Sequence, residues 1–203
     1  MVRLFVEGVT DVKFLEDYIY YKFNRRIIQE NDIIKTGGYG SLYSESSINQ
    51  LRYTQNQGGI NLVIFDADLD FVNRKNELTK KSIDYQIDLE LFLYPNNQES
   101  GDRESLLQSI ANPEKYGSFA TCFDPYATCI EAYKAEYDLL NAPKLTPFQQ
   151  NSRKTAIHNY LIMHGQEARE KSRNYADTAY WNLDSDALNP LYSFLAPHFS
   201  KPI

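Results

Sequence analysis

The chain is poor in the residues that build several common kinds of site. Only two cysteines, Cys122 and Cys129, and three scattered histidines, His158, His164 and His198, stand in 203 residues. No C-x-x-C pair and no His/Cys grouping occurs, which argues against the common zinc modules and a disulfide framework. So few cysteines suit a reducing compartment, and a cytoplasmic location is expected. No run approaches the roughly 20 apolar residues that span a bilayer, so no membrane partner is expected. The opening MVRLFVEG has too short an apolar run for a signal peptide and reads as a strand. A surplus of positive charge is missing too: 21 basic against 27 acidic side chains leave a net charge of −6. That balance disfavours a protein living by unspecific contact with phosphate backbones, while leaving room for local basic patches.

What is present is an ordinary globular composition, 42% hydrophobic and 24% charged, with 16 tyrosines. The apolar spacing predicts strands over 2–6, 32–36, 59–66 and 87–95. Helices are predicted over 11–23, 41–54 and 71–82, and from about Asp102 onward. Thr10 or Asp11 is the expected N-cap of the first. Alternating strands and helices point to an α/β fold with an open, mainly parallel four-stranded sheet flanked by helices. From about residue 114 the pattern turns helical, over 125–140 and 146–173, with NPLYSFLAP as a short closing helix. The expected division is an α/β core over 1–113 and a helical extension over 114–203, packed on the sheet as part of the same domain. Trp181 is expected to anchor the tail.

The chemistry sits in the acids. Glu7 closes the first strand, and Asp66, Asp68 and Asp70 follow the third. In open α/β sheets the working crevice lies at the carboxyl ends of the strands. Crowded carboxylates repel unless a cation lies between them, and hard oxygen ligands suit Mg²⁺ or Mn²⁺. Glu7 is thus a candidate metal ligand or acid/base group, with Gly8 allowing a sharp turn. Asp11 is a candidate supporting acid, and reads equally as an ordinary first-turn helix acid. The aspartates 66, 68 and 70 read as metal ligands or as a turn stabilised by local hydrogen bonds.

VEGVTD and LVIFDADLD resemble, in order and spacing, the two acidic motifs of the Toprim domain. FLYPNNQESGDRESLL and WNLDSDALNPLYSFL are similar to segments of small stand-alone Toprim-related bacterial proteins, distantly similar to OLD-type nucleases. The resemblance implies a Toprim-like fold and Mg²⁺-dependent (or Mn²⁺-dependent) phosphodiester chemistry on nucleic acid, nuclease-like in kind. It implies Glu7 as general acid/base or metal ligand, Asp66 and Asp68 as metal ligands, and Asp11 in support. Asp70 extends the run. Glu104 opens a helix after the fourth strand, near the same sheet edge, and joins the candidates. Lys154 is a candidate cationic partner for a phosphate. The chain lacks the DNA-gripping domains of the large Toprim enzymes, so a topoisomerase or primase is not expected.

Two other functions stay open on the residues alone. One is a non-catalytic module binding a nucleotide, a nucleic-acid end or a protein partner. The other is a HAD-type phosphatase, which also carries a DxD after an apolar strand but on its first strand. GGYG at 37–40 lacks the spacing of a phosphate loop and reads as a turn. Two basic strips, Lys22 with Arg25 and Arg26, and Arg153, Lys154, Arg169, Lys171 and Arg173, read as phosphate contacts or as solvated faces.

Overall fold

The computed structural model describes residues 1–28, 31–141 and 148–200, without the side chains of residues 127, 130, 131, 134, 135, 137–141 and 148–153. Four strands form one parallel sheet: β1 (Val2–Val6), β2 (Ile33–Lys35), β3 (Ile60–Asp66) and β4 (Glu90–Tyr94), in the order β2-β1-β3-β4. The connecting helices are α1 (Val9–Phe23), α2 (Glu45–Asn56) and α3 (Phe71–Asp84). Then come α4 (Arg103–Ile110), α5 (Pro113–Asn141), α6 (Phe148–Met163) and α7 (Asn189–Phe199). The fold is α/β, as the alternation of periods predicted.

Both faces of the sheet are covered, which explains why LVIF in β3 is a continuous apolar run and not an alternation. Leu4, Val6, Leu62, Ile64, Phe92 and Tyr94 face one way, into a cluster with Phe14 and Leu15 of α1, Leu107 of α4 and Leu191 of α7. Phe5, Val63, Phe65 and Leu93 face the other way, onto Leu51 of α2 and Leu78 of α3. Ile157 and Tyr160 of α6 and Trp181 join the first cluster, and Trp181 is only 1% exposed. Trp181 is bridged to Ala111 and tilts onto Tyr175, an anchor for the tail.

The helical part differs in its boundaries. The sequence suggested a helix over 125–140. Instead α5 starts at Pro113 and continues through Pro125. Proline removes one helix hydrogen bond there without stopping the helix. The stretch between α6 and α7, expected to be helical to 173, is mostly irregular after Met163.

One close approach explains a glycine. A Cβ on Gly59 would lie 2.7 Å from the Met1 carbonyl and 2.9 Å from the Thr54 carbonyl. Gly59→Ala is expected to lower stability by about 1–3 kcal/mol through this overpacking. A urea midpoint equal to that of the parent would contradict it.

The chain leaves β1 toward β2 on one side, then crosses to β3 on the other side of β1. The direction of winding therefore reverses between β1 and β3, and their carboxyl ends open the crevice where such sheets take ligands.

Candidate functional site

Glu7 and Asp66 meet at that switch point. Glu7 follows the last residue of β1, and Asp66 ends β3. Because the strands are paired in register, the Asp66 N–H donates to Glu7 Oε1 at 3.1 Å. The glycine turn after β2 fixes the Glu7 backbone: Gly37 and Gly38 N–H donate to its carbonyl at 3.0 and 3.2 Å. Both glycines have positive φ, 80° and 111°, which the turn requires. Their donors are spent on Glu7, so these two amides do not form a phosphate cradle.

Asp11 does two tasks. The N-cap of α1 is Gly8, not Thr10 or Asp11, and Asp11 is three residues inside the helix. Its Oδ2 accepts the Gly8 N–H at 2.9 Å. Its Oδ1 accepts from Arg103 Nη1 at 3.2 Å. The turn that carries Glu7 is thereby tied to the first turn of α4.

Arg103 is the residue that reading the sequence missed. Only 2% exposed, it bonds Glu104 Oε1 at 2.6 Å and lies 3.7 Å from Glu170 Oε1. Its backbone N–H donates to Asp66 Oδ1 at 2.8 Å. A signal existed in GDRES. The helix dipole disfavours a cation in a first turn, so an arginine directly after the capping Asp102 needs a nearby acid. Asp102 N-caps α4 by accepting the Ser105 N–H at 2.8 Å, which sets Arg103 and Glu104 in place.

Asp68 and Asp70 take other positions. Asp68 has φ 55° and exchanges two 2.8 Å backbone hydrogen bonds with Gly101, which pins the loop after β3 to the loop before α4. Its carboxylate pairs with Arg74, whose guanidinium stacks 3.4 Å from the Tyr39 ring centre. Asp70 is exposed and N-caps α3, accepting the Asn73 N–H at 2.9 Å. Glu104 is 2% exposed, and Lys154 Nζ of α6 stands 4.0 Å from its Oε1.

Burial and mutual repulsion set the protonation of the acids. Burial pushes Glu7 above the ordinary carboxylate range, against the opposing Asp66 N–H, with Asp11 and Asp68 adding to the rise. Asp66 is pushed well above that range by burial, then by Asp11, Glu7 and Glu104. Asp11 is raised by burial even though Arg103 pulls the other way. Carboxyls displaced toward neutrality in a crevice are placed to exchange protons.

The donor set suits a hard cation in kind. Glu7 and Asp66 each commit one oxygen to a backbone N–H, and no hydrogen bond to the other is formed among the described residues. Two carboxylates are what Mg²⁺ commonly takes from a protein, with substrate phosphates and water supplying the rest. The set is not a finished cage: among the described residues, no group of three His, Cys, Asp or Glu side chains is placed to hold a metal ion. Arg74 already competes for the Asp68 carboxylate.

The first basic strip is engaged elsewhere, Lys22 pairing with Asp184 at 2.5 Å. Of the second, Arg153 lies outside the described side chains. Lys154, Arg169, Lys171 and Arg173 line one pocket with Val9 and Thr10 of α1. Among the described residues no helix is long and apolar enough to cross a membrane. Set against known proteins, residues 1–200 match the model of a family described as protein of unknown function (DUF3226), and the chain belongs to that family. No curated protein and no solved structure matches the chain.

Proposed function

We propose that this protein is a Toprim-fold enzyme of phosphodiester chemistry, nuclease-like, that works with Mg²⁺ or Mn²⁺ on nucleic acid at the β1–β3 switch point. The observation that carries the reading is the contact of Glu7 with Asp66 at the ends of neighbouring parallel strands, both carboxyls raised by burial. Asp66 would hold the cation, with substrate oxygens and water completing its shell and Asp68 joining where the ion displaces Arg74. When bound, such an ion polarises a phosphoryl oxygen and offsets the charge that builds up on it.

The protein's own groups do the rest. Glu7 takes the proton of the attacking water at its uncommitted oxygen as that water bonds to phosphorus, and gives it to the strand oxygen that departs as the old P–O bond breaks, its raised affinity for protons matching it to both tasks. Arg103 holds Asp11 and, through its N–H, Asp66, so the two strand ends keep one geometry. Lys154 contributes positive charge at the rim of the acids. Arg74 and Arg103 already compensate three of the acids, Asp68, Asp11 and Glu104, which favours a second reading: a module that binds a phosphate-bearing ligand without turnover.

Calorimetry of Mn²⁺ titrated with and without a short single-stranded DNA separates the two. The enzyme reading expects weak metal binding alone, clear strengthening by DNA, and Mn²⁺-dependent cleavage that vanishes in Glu7→Gln. Cleavage surviving in a Glu7→Gln, Asp66→Asn double variant would overturn the assignment. DNA binding that is independent of metal and never followed by cleavage would establish the binding module instead.

A further inference from the structure

The geometry points to a second site beside the acids: a cationic pocket that takes a dianionic phosphate group, the terminal phosphate of a nucleotide or nucleic-acid strand. It deepens the reading above and rests on it only for what happens to the ligand afterwards. The pocket, about 470 Å³, lies between the first turn of α1, one face of α6 and the segment 168–173. Lys154, His158, Arg169, Lys171 and Arg173 line it, with Thr10. One acid, Glu170, also lines it, and that carboxylate is drawn toward Arg103 at 3.7 Å. Arg169 is spent on Glu167 at 3.2 Å, which leaves Lys154, Lys171 and Arg173 as the main positive charges.

Arg173 is the observation that asks for a ligand. It is 1% exposed, its Nε donates to the Ala168 carbonyl at 3.1 Å, and its Nη1 is buried with no well-aligned hydrogen-bond partner among the described residues. The neighbouring Tyr175 hydroxyl interacts with the Arg173 side chain, a neutral partner that brings no counter-charge. Among the described residues no carboxylate forms an ion pair with Arg173, whereas buried Arg103 reaches three. A buried guanidinium left without an anion is costly, and a fork of donors matches phosphate oxygens. Val9 and Thr10 bring the first turn of α1 to the same wall, where helix N–H groups lack partners and favour anions.

The pocket and the acids share a wall. Lys154 lines the pocket and stands 4.0 Å from Glu104, and Glu170 lines it and faces Arg103. Gly8, the N-cap of α1, links Glu7 to the pocket's Val9. A phosphate held here therefore marks the end of a ligand whose next linkage reaches toward Glu7 and Asp66. The preferred ligand is an end, not the interior of a strand.

The test is calorimetric titration of the full chain in EDTA, so that metal chemistry plays no part. The probes are inorganic phosphate, a 5′-phosphorylated dinucleotide and the same dinucleotide without the phosphate. Saturable binding of the phosphorylated dinucleotide is expected, at least about tenfold tighter than its unphosphorylated form. Lys171→Glu, a surface change, is expected to weaken it about tenfold or more, and Arg173→Met to abolish it, while the same charge reversal at exposed Lys80 of α3, on the other face of the sheet, leaves it in place. If inorganic phosphate binds and the phosphate on the dinucleotide adds nothing, the ligand is the free anion and the strand-end assignment falls. Binding unchanged in Lys171→Glu, or no binding of either phosphate probe, overturns the site. Loss of cleavage in the metal experiments with phosphate binding intact would sink only the catalytic reading.

Discussion

Replacing Arg103 by alanine is expected to lower the stability of the fold by about 3–5 kcal/mol, the usual cost of breaking a buried ion pair from one side. In a domain of this size that corresponds to a melting temperature lower by roughly 6–20 °C. The reason is specific. Arg103 lies 3.2 Å from Asp11, 2.6 Å from Glu104 and 3.7 Å from Glu170, and the first two acids are buried. Alanine removes the shared cation and leaves those carboxylates facing one another. Arg103→Met keeps much of the stem volume and separates charge from packing.

The pH dependence carries the sign. Asp11 already holds its proton more tightly when folded than an ordinary carboxyl does, and Arg103 is the main influence opposing that. Without Arg103 the folded state binds protons more strongly still. The folded form then takes up more protons than the unfolded one, so stability falls as pH rises through that window. The deficit of Arg103→Met should be small near pH 4 and grow toward pH 7.5. Adding Asp11→Asn and Glu104→Gln to Arg103→Met should recover part of the loss at pH 7.5. Urea midpoints that drop equally at both pH values would show that the cost is packing and not charge.

The second large effect is on Asp66. Asp66→Asn is expected to cut the proposed cleavage about a hundredfold or more, the order seen when one charge-stabilising group is removed from a site. The same change should raise stability at neutral pH, since it removes a buried charge whose ionisation the folded state resists. Burial and the charges of Asp11, Glu7 and Glu104 lift the Asp66 carboxyl well above its ordinary range. A raised folded-state value means that its stability contribution is lost as pH climbs from the unfolded value near 4 upward. The asparagine carbonyl can still accept the Arg103 N–H that Oδ1 accepts now at 2.8 Å, so geometry is kept while charge is removed. Functional sites often cost stability in this way. A variant no more stable than the parent at pH 7.5, with a matching loss at pH 5, would contradict the account.

Much of this was legible from local pattern. The switch from short continuous apolar runs to helical spacing located all four strands, because burial on both faces forces branched apolar runs such as LVIF in β3. Glu7 and Asp66 stood out since a charge ending an apolar strand needs a reason. Asp11 was visible, yet its local role as a helix acid and its long-range role with Arg103 look the same in sequence. Glu104 and Lys154 were named as candidates, and they face each other at 4.0 Å across α4 and α6.

By itself the order of residues determined the strands, the helices that follow them and the acids at their ends, since each depends on neighbours within a few positions. Only the tertiary structure decided the strand order, and with it that β1 and β3 lie side by side and bring Glu7 to Asp66. It alone decided that Arg103 reaches back 92 residues to Asp11, that Asp70 caps a helix, and that Arg173 is buried with no carboxylate paired to it among the described residues. Charge pairing across the fold depends on distance in space, and a linear spacing carries no measure of that distance. The same side chain is a solvated surface charge or a buried counter-ion according to which elements pack over it.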